Sequence, residues 1–205
     1  MFGHIMGDDT VRNFGVVIAI CGALFVFGGQ TFAIWTLGLE DKTADEETTL
    51  KFGADQIDVE FSGSDAPDDF SAEYGDDECM PGGCDETEDF FATLKLMFFA
   101  LIGCGVAIAY FGNSGDLENL PAVAGITAIL SIAIMAYTFI SLPEAWEEDT
   151  EFFETLDEDP TLFVNKERDD EGGDIHLKAM PHIGFFLPVV SLTLGGLLVK
   201  PEWMD

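Results

Sequence analysis

Basic side chains are scarce: eight Lys and Arg stand against 39 Asp and Glu in 205 residues, for a formal charge of -31. Nucleic acid and anionic lipid headgroups are repelled by such a chain, which excludes them as partners. Histidines number three and cysteines four. The chain contains no HExxH, no glycine-rich phosphate loop and no nucleophile elbow. Acid-base catalysis needs two carboxyls held in a protected pocket with separated pKa values, and nothing marks such a pair here. The sequence therefore reads as non-enzymatic and calls for no cofactor.

Charge is also nearly absent from four long stretches, Phe14 to Leu39, Phe90 to Gly112, Leu120 to Leu142 and His182 to Val199, in which Lys95 is the one Lys, Arg, Asp or Glu. A bilayer core needs about 20 mostly apolar residues per helix, and the last stretch is the shortest of the four. Runs such as GVVIAICGALFVF lack the in/out alternation of a barrel strand. The expected fold is a membrane all-α four-helix bundle. A soluble all-α alternative would have to shield four wholly apolar helices with the remainder of the chain.

What is abundant is acid, and 33 of the 39 carboxylates lie in segments 39–89 and 143–181. The expected division is an N-terminus at 1–13, spans at 14–39, 90–112, 120–142 and 182–199, acidic loops at 40–89 and 143–181, a short link at 113–119 and a C-terminus at 200–205. Residues 1–12 lack a basic n-region, so the first span reads as a retained signal anchor. Four spans place both termini and the link on one side and both loops on the other.

Lys and Arg bias alone points the loops inward: Arg12 and Lys200 stand on the terminal face, against Lys42, Lys51, Lys166, Arg168 and Lys178 in the loops. Two arguments override it. The loop bases are outnumbered by neighbouring acids, and Cys79 and Cys84 in CMPGGC are placed to form a disulfide, which needs an oxidising compartment. A metal half-site and two free thiols remain alternatives, although Cys21 and Cys104 lie in spans. The expected placement is a cell membrane with cytoplasmic termini and extracellular loops. The acidity itself has two readings: a high-salt habitat that keeps carboxylates hydrated and screened, which marks a halophilic microbe, or loops that bind cations or basic proteins. The first predicts only diffuse association with solvent cations.

The first loop is patterned. In TTLKFGADQIDVEFSG, Leu50, Phe52 and Ala54, then Ile57, Val59 and Phe61, alternate with polar residues, predicting two half-buried strands joined at Gly53 to Gln56. Phe70 and Tyr74 are the packing residues of the turn-rich stretch that follows, which is expected to end in a hairpin closed by the cysteines. The second loop opens with Pro143 at a helix start and Trp146, Phe153 and Leu156 on one face, continuing the third span as a helix to Pro160. Leu162 to Asn165 and Ile175 to Lys178 then read as strands. A lone hairpin is marginal in water, so strands of both loops are expected to share one small extracellular sheet.

Span one, a β-rich first loop with a close cysteine pair, a short link, and a second loop that begins as an extension of span three: in this order the chain resembles the claudin-like tetraspan family. That family's first loop carries Trp, then Gly-Leu-Trp, and two Cys. Trp35, Gly38 and Leu39 lie at the end of span one here, and only Cys79 and Cys84 carry over by position. The resemblance implies an extracellular sheet used for adhesion, barrier formation or lateral assembly.

Polar and small residues in the spans have plain roles. Lys95 snorkels toward the acidic face to pair with Glu88 or Asp89, or else contacts an ion or headgroup. Trp35, Trp146 and Trp203 sit at membrane edges as depth anchors, and His182 is an interfacial hydrogen-bonder. Gly28 and Gly29 beside Gln30 and Thr31, with Gly103, Gly105 and Ala107 in span two and Ala124 and Ala128 in span three, are expected to pack helices closely. Pro188 is expected to kink span four. The nearest approach to a calcium loop is DDEGGD, with Asp169, Asp170, Glu171 and Asp174, which lacks the ligand alternation of such loops.

Three functions fit these readings. The first is an interaction protein whose acidic sheet contacts copies of itself or other membrane and cell-surface proteins. The second is an accessory subunit of a larger membrane complex. A channel or transporter, for which only Gln30, Lys95 and Pro188 speak, ranks last.

Overall fold

The computed structural model describes residues 8–41, 45–64, 66–74, 79, 84–149, 165–170 and 173–199. Four helices and six strands are present among them. The helices are α1 (Asp8–Phe27), α2 (Asp85–Ser114), α3 (Leu120–Asp149) and α4 (Phe186–Val199). The strands are β1 (Trp35–Asp41), β2 (Glu46–Phe52), β3 (Gln56–Ser62), β4 (Phe70–Glu73), β5 (Asn165–Asp170) and β6 (Gly173–Pro181). Helices α1, α2 and α3 are long and apolar enough to cross a membrane, and the apolar stretch Ile183–Val199 is shorter.

Two compact units divide the chain. One gathers Met1–Phe27, Leu94–Tyr137 and Phe186–Asp205. Here α1 and α2 approach through glycine: a Cβ on Gly15 would overlap the backbone of Ala109 and Gly105, one on Gly105 the backbone of Ala19, and one on Gly22 would lie 2.6 Å from the Ile102 side chain. Gly15 and Gly22 are seven residues apart, as are Gly105 and Gly112, so the glycines form a seam at the 3.5-residue repeat of supercoiled helices. Phe25 stacks on Phe98 across it, with ring centroids 4.2 Å apart.

The buried hydroxyls of this unit are satisfied within their own helices. Thr127 donates to the Val123 carbonyl at 2.9 Å, Ser131 to Thr127 at 2.8 Å and Ser191 to Leu187 at 3.0 Å. Such back-bonding lets a polar group face a packed helix without leaving an orphan donor. Gly195 of α4 packs against Ala124 and Thr127 of α3.

The other unit comprises Gly28–Thr93 and Thr138–Phe185. It holds one antiparallel sheet in the order β4-β3-β2-β1-β6-β5. Strands of both acidic segments therefore share a sheet, joined where β1 pairs with β6 from Trp35↔Pro181 to Asp41↔Ile175. Register aligns Ala72, Ile57, Phe52 and Trp35 in one row across four strands. All four are buried. Because side chains alternate, this row and the next, Phe70, Val59, Leu50, Leu37 and Ala179, lie on one face. Ends of α2 and α3 cover it: Phe52 packs on Trp146 at 4.9 Å, Tyr74 on Phe91 at 4.8 Å, and Trp35 edge-on to Phe139 at 6.2 Å.

Several boundaries differ from the sequence reading. The first helix begins at Asp8 and stops at Phe27, twelve residues short of Leu39. Gly29 follows with φ of 57°, the left-handed conformation that ends helices, and Gly29–Phe32 forms a 3-10 turn. Apolarity alone extended the span, because Trp35, Leu37 and Leu39 are core-facing strand residues. Pro143 lies inside α3 rather than at a helix start. Pro188 is the third residue of α4, where its missing N–H costs no helical bond, so the expected cause of a kink is absent. The stretch holding Phe70 contains strand β4, and the second-loop hairpin pairs Asn165–Asp170 with β6. Leu162, Phe153, Leu156 and Pro160 lie outside the described residues.

Candidate interaction surface

The sheet face opposite the helices is polar. Strand alternation places Thr36, Gly38 and Glu40 of β1, Glu47, Thr49 and Lys51 of β2, Asp58, Glu60 and Ser62 of β3, and His176, Lys178 and Met180 of β6 on it. Lys51 pairs with Glu60, and His176 Nδ1 lies 3.3 Å from Glu40 Oε2. Glu40 and Glu47 stand directly opposite one another, a like-charge pair that destabilises an antiparallel ladder unless it is screened or neutralised. The outer rim is blunted by a side chain: the Phe61 N–H donates to Asp69 Oδ1 at 2.7 Å, occupying an edge group that would otherwise attract another strand.

Covalent and hydrogen-bonded ties converge on the first turn of α2. Cys79 and Cys84 form a disulfide, and both are buried. The Cys84 carbonyl accepts the Glu88 N–H at 2.7 Å, the first bond of the helix, so the bridge ends on the residue immediately before α2. Asp149, at the end of α3, accepts the Glu86 N–H on Oδ1 at 2.9 Å and the Thr87 N–H on Oδ2 at 2.6 Å. Free amides at a helix N-terminus favour a carboxylate there. Repulsion from Glu148, followed by desolvation and by Asp149, Asp89 and Asp85, holds the exposed Glu86 carboxyl above its ordinary range.

Tyr74 ties the β3–β4 region to α2. Its hydroxyl donates to the Gly53 carbonyl at 3.0 Å while its ring stacks on Phe91. Burial first, then the charges of Asp55 and Asp58, push the phenol well above its usual value.

The residues singled out from sequence fall into different places. Trp35 is fully buried at the start of β1 and Trp146 is 1 % exposed against Phe52, so both pack in the core of the sheet unit. His182 donates its backbone N–H to Ile34 at 3.0 Å, and its Nδ1 lies 3.2 Å from the Ala33 carbonyl, stitching the segment before α4 to the segment before β1. Gly28 and Gly29 follow the end of α1, and Gly29 has no neighbour within 4 Å of an added Cβ. Gly103 is likewise open, Ala107 and Ala128 are half-buried, and Ala124 is buried beside Gly195. The close packing belongs to Gly105, as expected, and to Gly15, Gly22 and Gly112. Their heptad spacing was readable beforehand.

Lys95 lies in the third turn of α2 and is half-buried. Asp169 and Asp170 end β5, and Asp169 pairs in register with Asp174 of β6. Glu171 and Trp203 lie outside the described residues. Among the described residues no three His, Cys, Asp or Glu side chains are grouped to hold a metal ion. The sequence reading missed the role of Asp149, since nothing local relates it to amides 62 residues away. The chain matches no protein-family model, and no curated protein matches it.

Proposed function

We propose that this chain is a non-enzymatic, multi-pass membrane protein that displays an acidic β-sheet outside the cell for contacts with copies of itself or with other membrane and cell-surface proteins. The observation that supports this most is the shared sheet. Two acidic segments separated by two long apolar helices are built into one ordered layer, with an apolar face under helix ends and a polar face on which Glu40, Glu47, Glu60 and Lys178 are exposed. A solvated charge run would need no such order. In this reading Ile183–Val199 is the fourth span, the termini are cytoplasmic, and the Cys79–Cys84 bridge is on the oxidising side. The claudin-like resemblance points to the same use, and the acid excess suits a halophilic cell. Nucleic acid is not a partner, and cations associate diffusely.

An accessory-subunit role is the second reading. It draws on Gly103, Gly125 and Gly196, whose positions would admit a Cβ without contact and so leave small-residue helix surface open. Solubilisation in mild detergent followed by sizing and mass spectrometry separates the two. Self-association or capture of varied surface proteins supports the first, a fixed set of foreign subunits the second, and a strictly monomeric chain with no partner in cross-linked intact cells contradicts both.

A further inference from the structure

We propose that the contact between the end of α3 and the start of α2 is a salt-closed latch, in which bulk cation concentration sets how firmly Asp149 holds the first turn of α2. Three features build it. Asp149 is 7 % exposed and bridges two backbone amides of α2, so α3 reaches across to finish another helix's hydrogen bonding. Pro143 lies six residues before it inside α3 and removes one rung, the donor that the Phe139 carbonyl would otherwise receive. The last turns of α3 are thus tied to their own helix by one bond fewer, and the Asp149 cap and the Trp146–Phe52 contact hold them instead.

The third feature is the charge around the bond. Asp85, Glu86, Glu88 and Asp89 of α2 and Glu144, Glu147 and Glu148 of α3 are all exposed, and across the two helices Glu86 is repelled by Glu148 and Asp149. Lys95 is the single base on either helix, against seven exposed acids, and follows Asp89 by six residues, about 9 Å along the axis. Acids in the final turn of α3 also oppose that helix's own dipole. The raised proton affinity of Glu86 reports the resulting repulsion, with Glu148 its largest source.

Salt acts on the two sides of this balance unequally. The exposed carboxylates repel through solvent, where the screening length falls from about 10 Å at 0.1 M to about 3 Å at 1 M. The short bonds of the buried Asp149 are screened much less. Added salt therefore removes the opposition and leaves the bond. At low ionic strength the hinge at Pro143 lets the end of α3 lift from α2 while the sheet stays formed.

Amide hydrogen exchange of the full chain in a neutral detergent, across sodium chloride from about 0.05 to about 1 M, tests this. Protection at Glu86 and Thr87 is expected to rise about tenfold or more with salt, while Leu50 and Val59 in the sheet change little. Glu148→Gln should raise protection at low salt and flatten the slope, and Glu86→Gln should do the same. Asp149→Ala, which removes both acceptor oxygens, should leave both amides poorly protected throughout. Salt-independent protection at Thr87 in the wild type, an unaltered slope in Glu148→Gln, or a parallel slope at Leu50 each overturns the latch.

Discussion

The carboxylate of Asp149 accepts the Thr87 N–H at 2.6 Å, and its second oxygen takes the neighbouring Glu86 N–H, so one residue of α3 supplies the N-terminal cap of α2. Most caps are local, a side chain serving amides two or three residues on. This one spans 62 residues. It turns a helix end, normally an independent feature, into a joint between the two helices that cover the sheet.

Asp149→Asn keeps the shape and one acceptor oxygen but removes the charge. Loss of an N-cap costs about 0.5–2 kcal/mol, and hydrogen bonds to a charged acceptor lie toward the upper part of that range. Thermal unfolding followed by tryptophan fluorescence should report the loss, because Trp146 is three residues away. Unchanged unfolding would show that the cap is structurally redundant.

Thr87 offers the opposite test. Its side chain is fully buried and its Oγ1 has no hydrogen-bond partner, while its backbone N–H is the one that Asp149 caps. A buried hydroxyl left unpaired costs about 1–3 kcal/mol of desolvation. Thr87→Val is therefore expected to be neutral or to raise the melting temperature, and a clear destabilisation would mean that the hydroxyl is engaged in the native state.

Two glycines of α2 should respond in opposite ways to the same change. A methyl on Gly105 overlaps the backbone of Ala19, which has no rotamer to yield, so Gly105→Ala is expected to cost about 1–3 kcal/mol. Gly103→Ala meets nothing within 4 Å and should be neutral or gain up to about 1 kcal/mol from helix propensity. Melting of the purified variants in detergent ranks them.

Tyr74 predicts an alkaline limit. In the unfolded chain its phenol ionises near the ordinary value of about 10, whereas burial and the charges of Asp55 and Asp58 raise it in the fold. The folded state thus holds the proton longer. Its contribution is intact below about pH 10 and is lost as pH climbs from there toward the raised folded value. Ultraviolet titration should show one of the three tyrosines ionising together with unfolding, and Tyr74→Phe should soften the pH dependence while losing the bond to Gly53. Independent, early ionisation of all three would contradict this placement.

Reduction of the Cys79–Cys84 bridge, whose partners are five residues apart, should cost about 2 kcal/mol by the chain-entropy account. Both cysteines are nearly inaccessible. Thiol reagents should therefore label neither residue until a reductant and partial unfolding act together, and rapid labelling of the native, unreduced chain would refute the bridge.

What could be read beforehand followed from periodicity. Long apolar runs announced three long helices, and the alternation of Leu50, Phe52, Ile57 and Val59 announced β2 and β3. Strand β1 was hidden because Trp35, Leu37 and Leu39 continue an apolar run without a break in composition, and only the backbone at Gly29 separates helix from strand. Strand β4, four residues long, is too short to show a period. Long-range relations were the least legible: the Asp149 cap, the Trp146 contact with Phe52 and the β1–β6 pairing join residues distant in sequence. The glycine seam was legible in part: Gly105 stands among the small residues of span two, and the seven-residue spacing of Gly15 and Gly22 carries the same signal in span one.

The pairing of Trp35 with Pro181 also dictates an order of assembly. Strands β1 to β4 leave the ribosome early, whereas β6 follows only after both long central helices have been made. Until then the inner margin of β1 is an unoccupied template, exposed to any extended chain nearby. Maturation thus hinges on a late arrival inserting into the middle of a half-finished layer, and a chain truncated before residue 173 would leave a sticky remnant instead of a smaller stable protein.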